Sequence, residues 1–429
     1  MAALIVSLGL VSTPALAGVV QTCHGRTATI IANGVDPITG TSGPDVIVGS
    51  AGNDQIDGGS GNDWICGGAG RDTLTGGPGD DHVYGQDDGD TIVEGQGSDV
   101  VSGNAHSLYG DVVTYESASE PLTIDIATHT AHVGSDIDVL TRFDRYFGTN
   151  FDDEFIGAAG KDGFFGLDGA DHVAGYGGHD YLRGDDGADV VLGGGGADDL
   201  AGGLGFDELR DSRGDNVVSD VTLTGASGAL IRTGSGNDRV EIQSDDAGSQ
   251  VSVASGAGAD QVFLAGSIDR GRVRAGAGRD RIDLFLLSTA DVIVRGEGGN
   301  DTLDMRSFEP GDPTLEGVTG IGGPGRDLVM LGLQSGDVVL QLGANGHLST
   351  PFTMSLPGFE SAWTGYGDDV ITGSPGTNRV FSGDGDDEIF GRAGDDVINA
   401  SYSTDVVHGG AGKDVCRNAE SRFSCEATN

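Results

Sequence analysis

Acidic residues recur every nine positions in three stretches of this 429-residue chain. The first run holds Asp45, Asp54, Asp63, Asp72, Asp81, Asp90 and Asp99, with Ile47, Ile56, Ile65, Leu74, Val83, Ile92 and Val101 two positions later. The second holds Asp153, Asp162, Asp171, Asp180, Asp189, Asp198 and Asp207, each preceded at five residues by a glycine. The third holds Asp369, Asn378, Asp387, Asp396, Asp405 and Asp414. Around each aliphatic residue, three positions alternate faces as a short strand with one side chain inward. The other six, rich in Gly, turn the chain back through positive-φ conformations. Two nonapeptides then close one flattened coil, so residue i lies above residue i+18. Asp45, Asp63, Asp81 and Asp99 stack on one edge, and Asp54, Asp72 and Asp90 on the other.

Such columns need a counter-charge. Coils stack about 4.8 Å apart, and two carboxylates at roughly 5 Å repel by about 0.8 kcal/mol in water and about 3 kcal/mol at an effective dielectric of 20. A hard divalent cation, Ca²⁺, takes six to eight oxygens from carboxylates and backbone carbonyls, the mixture two facing turns offer. Counting adjacent same-edge turns gives up to about fourteen ions carrying roughly +28. That offsets much of the formal charge of −44 set by 67 acidic and 23 basic residues. The charge also excludes nucleic acid as a partner. With 79 Gly and only 6% aromatics, the chain cannot fill a thick core.

The segments GTSGPDVIV, GSAGNDQID, GGSGNDWIC, GGAGRDTLT and GGPGDDHVY, contiguous from Gly40, resemble the nonapeptide G-G-x-G-x-D-x-U-x of the RTX, or hemolysin-type, calcium-binding repeat family. The resemblance implies an all-β fold, a parallel β-roll or β-helix solenoid with calcium-binding Gly/Asp turns that order when metal binds. Departures at Asp88, Glu94, Asn378, Ser382, Ala400 and Ser403 imply weaker or empty sites there.

The expected organisation is a signal peptide at 1–17, an N-terminal cap at 18–38 and a first array at 39–103. A bridging segment at 104–151 leads to a second array at 152–211. A parallel β-helix at 212–326 keeps one diluted turn per coil, at Asp238, Asp260, Asp280, Asp301 and Asp327. A second bridge at 327–363 precedes a third array at 364–415 and a C-terminal disulfide cap at 416–429. The bridges match under a shift of 216 residues, or 24 nonapeptides, which predicts that the solenoid runs through them and that one unit was duplicated. About 20 coils would make a rod approaching 100 Å.

The apolar leader ends in Pro14-Ala15-Leu16-Ala17, an A-x-A cleavage site before Gly18. No segment of the mature chain has the roughly 18 apolar residues of a membrane span. Four cysteines allow three connectivities. Their positions favour Cys23 with Cys66 and Cys416 with Cys425 over a zinc site, since no Cys-x-x-Cys spacing accompanies them.

Neither H-E-x-x-H, G-x-S-x-G nor a Walker A loop occurs. His129 and His132 read as a solvent-facing strand pair, and His82 and His172 as outward surface residues. Arg270, Arg272, Arg274, Arg279, Arg281 and Arg295 form the single basic cluster, read as paired charges or else as a groove for an anionic sugar. The functional expectation is a secreted, extracellular or cell-surface calcium-binding solenoid with a structural or adhesive role, its partners calcium ions and surface or matrix polysaccharide. The alternative is a calcium-dependent polysaccharide lyase or epimerase with its groove in 212–326.

Overall fold

The computed structural model describes residues 21–32, 37–104, 110–223, 227–244, 248–305, 317–333, 337–349 and 354–426. The expected signal peptide lies outside them. Strands and turns make up the described residues, with no helix long and apolar enough to cross a membrane. The chain divides into two compact units, residues 1–111 and 112–429.

In the first unit the nine-residue period becomes a parallel ladder. Val46 pairs with Trp64, Trp64 with His82 and His82 with Val100 on one face. Gln55 pairs with Thr73 and Thr73 with Thr91 on the other. Ile47, Ile65, Val83 and Val101 face Ile56, Leu74 and Ile92 across the interior, each at most 1% exposed. A three-residue strand turns only its middle side chain inward, so the core is one aliphatic layer per face. The ladder starts before residue 39, because Ile30 pairs with Ile47 and Ile38 with Ile56. A disulfide joins Cys23 to Cys66.

His82 corrects the expectation of a surface residue. Its register partner is Trp64, so the two outward rings stack with centroids 4.0 Å apart. His24 covers Tyr84 in the same way at 3.7 Å. The ring is half-buried, and burial lowers its pKa. His172, with Glu154 as its neighbour in register, is exposed.

The second unit carries one inward column through parallel pairings from Tyr146, Phe164, Leu182 and Leu200. It continues through Val218, Val240, Val262, Ile282, Leu303 and Val329 to Ala362, Val380, Ile398 and Cys416. Cys416 is bonded to Cys425. Strands Arg239–Ser244, Gln261–Gly278 and Arg281–Gly299 lengthen to six residues or more. Alternation then turns at least two residues of each inward, as with Val240 and Ile242, Val262 and Leu264, Ile282 and Leu284, all at most 1% exposed.

The bridging segments are more than continued solenoid. Leu122–Asp125, Thr130–Val133 and Asp136–Thr141 pair antiparallel, as do Val339–Gln341, His347–Leu348 and Met354–Ser355. Each excursion leaves a coil whose first strand still pairs in parallel, with Glu154–Ile156 and Val370–Thr372 respectively. The Tyr115 hydroxyl donates to Asp138 Oδ2 at 2.9 Å within the first.

Candidate metal centres

The turns form an interlocked carboxylate ladder. The backbone N–H of Asp45 donates to Oδ1 of Asp63, that of Asp63 to Asp81 and that of Asp81 to Asp99, at 2.7–2.8 Å. Asp54, Asp72, Asp90 and Asp111 form the second edge. In the second unit the same bond links Asp153, Asp171, Asp189 and Asp207 on one edge and Asp162, Asp180, Asp198 and Asn216 on the other. Asp369, Asp387 and Asp405, and beside them Asn378, Asp396 and Asp414, repeat it. All twenty expected site residues are buried, none more than 7% exposed. Except at Asp45, Asp54 and Asp162, each carboxylate thus spends one oxygen on a backbone N–H of the coil above it, a role the spacing alone does not reveal.

The second oxygen has a different fate. Oδ2 of Asp63, Asp81, Asp90, Asp171, Asp180, Asp189 and Asp207 is buried without a hydrogen-bond donor, as is Oδ2 of Asp369, Asp387, Asp396, Asp405 and Asp414. It faces carbonyl oxygen across a space that a side chain would fill. A Cβ on Gly58 would lie 2.7 Å from Asp63 Oδ2 and 2.5 Å from the Gly76 carbonyl oxygen. Asn378 probes the same space, since its amide Nδ2 donates to the carbonyls of Ser374 (3.1 Å), Gly376 (2.6 Å) and Gly391 (3.2 Å). Where an N–H donor is built in, oxygens converge on it. A donor-free carboxylate oxygen among carbonyls fits Ca²⁺.

Apart from the Asp99 turn, the array turns fall into two classes, set by the residue four positions before the Asp or Asn. In five turns the N–H of that residue donates to the carboxylate or amide oxygen: Thr41 to Asp45, Ser50 to Asp54, Thr149 to Asp153, Ala158 to Asp162 and Ser374 to Asn378. In the turns with a donor-free Oδ2 the same residue has positive φ, as at Gly59 (95°), Gly77 (99°) and Gly410 (104°), and also at Leu167 (78°), Tyr176 (68°) and Arg392 (75°). A trans peptide points N–H and C=O in opposite directions. A donor that closes the turn and a carbonyl that would face a cation are therefore alternatives.

Electrostatics follow that division only in part, since burial raises the pKa of the self-closed Asp153 and Asp162 as well, against their turn hydrogen bonds. Burial, then repulsion from Asp neighbours against the ladder hydrogen bond, pushes Asp81, Asp90, Asp171 and Asp189 up to about 7, and burial brings Asp369 to about 7 against hydrogen bonds from the Thr364 side chain and the Val338 N–H. For Asp45 burial raises the pKa, but the Thr41 N–H, the Thr41 hydroxyl and the Thr29 hydroxyl outweigh it and the net shift is downward.

Sequence reasoning missed Asp211. It stands at a position where most turns have Gly, and a Cβ on Gly193 would lie 2.6 Å from its Oδ2 and 2.8 Å from Asp198 Oδ2. Two carboxylates thus share one buried space, and burial followed by the Asp198 carboxylate pushes Asp211 up to about 8. An acidic residue at a turn-glycine position was the available signal.

His129 and His132 are exposed on the first antiparallel excursion. In the arginine cluster, Arg272 pairs with Asp291 and Arg281 with Asp283 and Asp304. Arg274 and Arg295 are register partners on adjacent coils.

The model of the RTX calcium-binding nonapeptide repeat matches residues 32–65, 39–74, 67–101, 141–173, 174–209, 357–389 and 382–416. No curated protein matches the chain. The matches cover the three arrays whose turns carry the ladder, and the chain carries multiple copies of the RTX calcium-binding nonapeptide repeat.

Proposed function

We propose that this chain is a secreted calcium-binding solenoid whose open turns hold many Ca²⁺ ions and which orders as they bind. The observation that carries the reading is the set of buried Oδ2 atoms without a donor, each on a coil that buries few side chains. Leaving such groups uncompensated costs about 1–3 kcal/mol each, more when charged. A bound divalent ion supplies that compensation and joins two consecutive coils, so affinity and folding are coupled. The five self-closed turns, at Asp45, Asp54, Asp153, Asp162 and Asn378, are weak or non-binding in this reading. The leader and the two disulfides support an oxidising, extracellular destination.

Calorimetric titration of the chelated protein with Ca²⁺, followed in parallel by far-UV circular dichroism, tests the reading. The expected result is about ten ions or more per chain with a large gain of strand signal. Fewer than about four ions, or full strand content in chelator, defeats it.

The structural or adhesive role has one further support. Arg232, Arg272, Arg274 and Arg295 frame a groove of about 400 Å³ on the 212–326 coils, which suits an anionic sugar. Retention of the calcium-loaded protein on uronate polymer without turnover supports adhesion. Calcium-dependent loss of the polymer's viscosity supports the lyase or epimerase alternative instead.

A further inference from the structure

The family match stops at residue 209 and resumes at 357, yet one edge of the turn ladder crosses the interval unbroken. Asp198 N–H donates to Asn216 Oδ1, Asn216 to Asp238, Asp238 to Asp260, Asp260 to Asp280, Asp280 to Asp301 and Asp301 to Asp327, at 2.9–3.0 Å. Asp327 N–H ends the series on Glu360 Oε2 at 3.0 Å. The coils are no longer two nonapeptides, since consecutive Asp residues are separated by 22, 20, 21 and 26 positions. Between Asp238 and Asp301 the coils carry the longer strands Arg239–Ser244, Gln261–Gly278 and Arg281–Gly299, and the turn geometry is kept.

In each of these turns Oδ2 is buried and lacks a donor, and Asp238, Asp260, Asp280, Asp301 and Asp327 are at most 2% exposed. Gly234, Gly256, Gly276, Glu297 and Gly323, four positions before them, all have positive φ, the open class. A Cβ on Gly322 would lie 2.6 Å from Asp327 Oδ2 and 2.5 Å from the Gly358 carbonyl oxygen, the enclosure found around Asp63. Asn216 again places an amide there, with Nδ2 donating to the Gly214 carbonyl at 3.0 Å. The opposite edge differs at one described point. There Ser244 and Ser249 satisfy each other by a hydroxyl bond of 2.8 Å, both fully buried.

We infer that the 212–326 segment is itself a calcium-binding β-helix, with one ion per coil along the Asp238–Asp327 edge. The inference rests on the calcium reading of the arrays and extends it to coils of a different length. Asp280, Asp301 and Asp327 are its clearest sites. Thr233 and Ser255, before Asp238 and Asp260, bring hydroxyl groups that donate to the next coil's carbonyl and stand ready as additional oxygens.

The test compares the full chain with its Asp280→Asn/Asp301→Asn/Asp327→Asn variant by Ca²⁺ calorimetry. Asn keeps the Oδ1 acceptor of the ladder, as Asn216 and Asn378 do, and replaces Oδ2 by a donor. The expected result is a stoichiometry lower by about three ions, with the arrays still binding. Unchanged stoichiometry in the variant, with the parent binding normally, overturns the inference and leaves the array reading intact. A parent that binds no Ca²⁺ overturns both. Should the variant fail to order, anomalous scattering from calcium in crystals of the parent chain decides the matter. Peaks beside Asp280, Asp301 and Asp327 support the inference, and peaks confined to the arrays overturn it.

Discussion

The Asn378 amide nitrogen donates to the Gly391 carbonyl oxygen one coil away, at 3.2 Å, while its Oδ1 accepts the Ser374 N–H at 2.9 Å. A neutral amide thereby does within one side chain what the acidic turns leave to a cation. Changing Asn378→Asp alone should not create a site, because the Ser374 N–H still occupies the carboxylate. Ser374→Gly together with Asn378→Asp should open the turn and add about one ion to the calorimetric stoichiometry. Equal stoichiometry in the single and double variants would show that the residue four before the Asp does not select the turn class.

Open turns impose positive φ even where the sequence lacks glycine. Tyr176 has φ 68° and is 64% exposed, so it bears backbone strain with little burial in return. Strain of this kind runs to about 1–3 kcal/mol, offset by the greater entropy glycine gives the unfolded chain. Tyr176→Gly should therefore raise stability in saturating Ca²⁺ by about 1 kcal/mol, read as a higher thermal midpoint. The converse change, Gly77→Ala, puts a Cβ against the Gly59 carbonyl at φ 99°. It should lower the midpoint and loosen the first array.

Period and register were legible because the physics behind them is local. One aliphatic residue after each Asp fixes the inward face, and the 18-residue stack follows from closing two turns. The two turn classes were not, because Leu167, Tyr176 and Arg392 adopt the conformation usual for glycine, so composition alone does not separate them from Thr41 or Ala158. The antiparallel excursions were hidden for another reason. Leu122-Thr-Ile-Asp alternates as any strand does, and only its pairing with Val133 and Thr130 across a turn sets its direction. His82 was misjudged because outward side chains stack on their partners one coil away, and Trp64 covers it.

Protons should compete with calcium. The Asp81, Asp171 and Asp369 carboxyls are raised from 3.8 to about 7 in the folded chain without metal, chiefly by burial. Between these two values the folded state binds protons that the unfolded state has released. The metal-free fold therefore gains stability as pH falls from about 7 toward 4 and loses it as pH rises through 7. Far-UV circular dichroism in chelator should show strand content growing on acidification over that window. Calcium titrated at pH 6 should release protons, seen as a dependence of apparent enthalpy on buffer ionisation heat. No acid-induced ordering would mean that these carboxyls ionise freely before the metal arrives.

The two disulfides close loops of different size and should contribute unequally. Cys23 and Cys66 are 43 residues apart, whereas Cys416 and Cys425 are separated by 9. Loop-closure entropy gives about 4 kcal/mol for the first and about 2.6 kcal/mol for the second. The first also ties the hairpin of Thr22–Cys23 and Arg26–Thr27 onto the first array, where the Arg26 guanidinium lies 4.0 Å above the Trp64 ring. Cys23→Ser/Cys66→Ser should therefore lower the calcium-loaded midpoint more than Cys416→Ser/Cys425→Ser does, and should speed proteolysis at the N-terminal coils. In hydrogen exchange, each variant should lose protection at its own end of the chain while strands Arg239–Ser244, Gln261–Gly278 and Arg281–Gly299, with at least two inward residues apiece, keep theirs. Equal loss throughout would identify the solenoid as one cooperative unit, with neither bridge acting as a local cap.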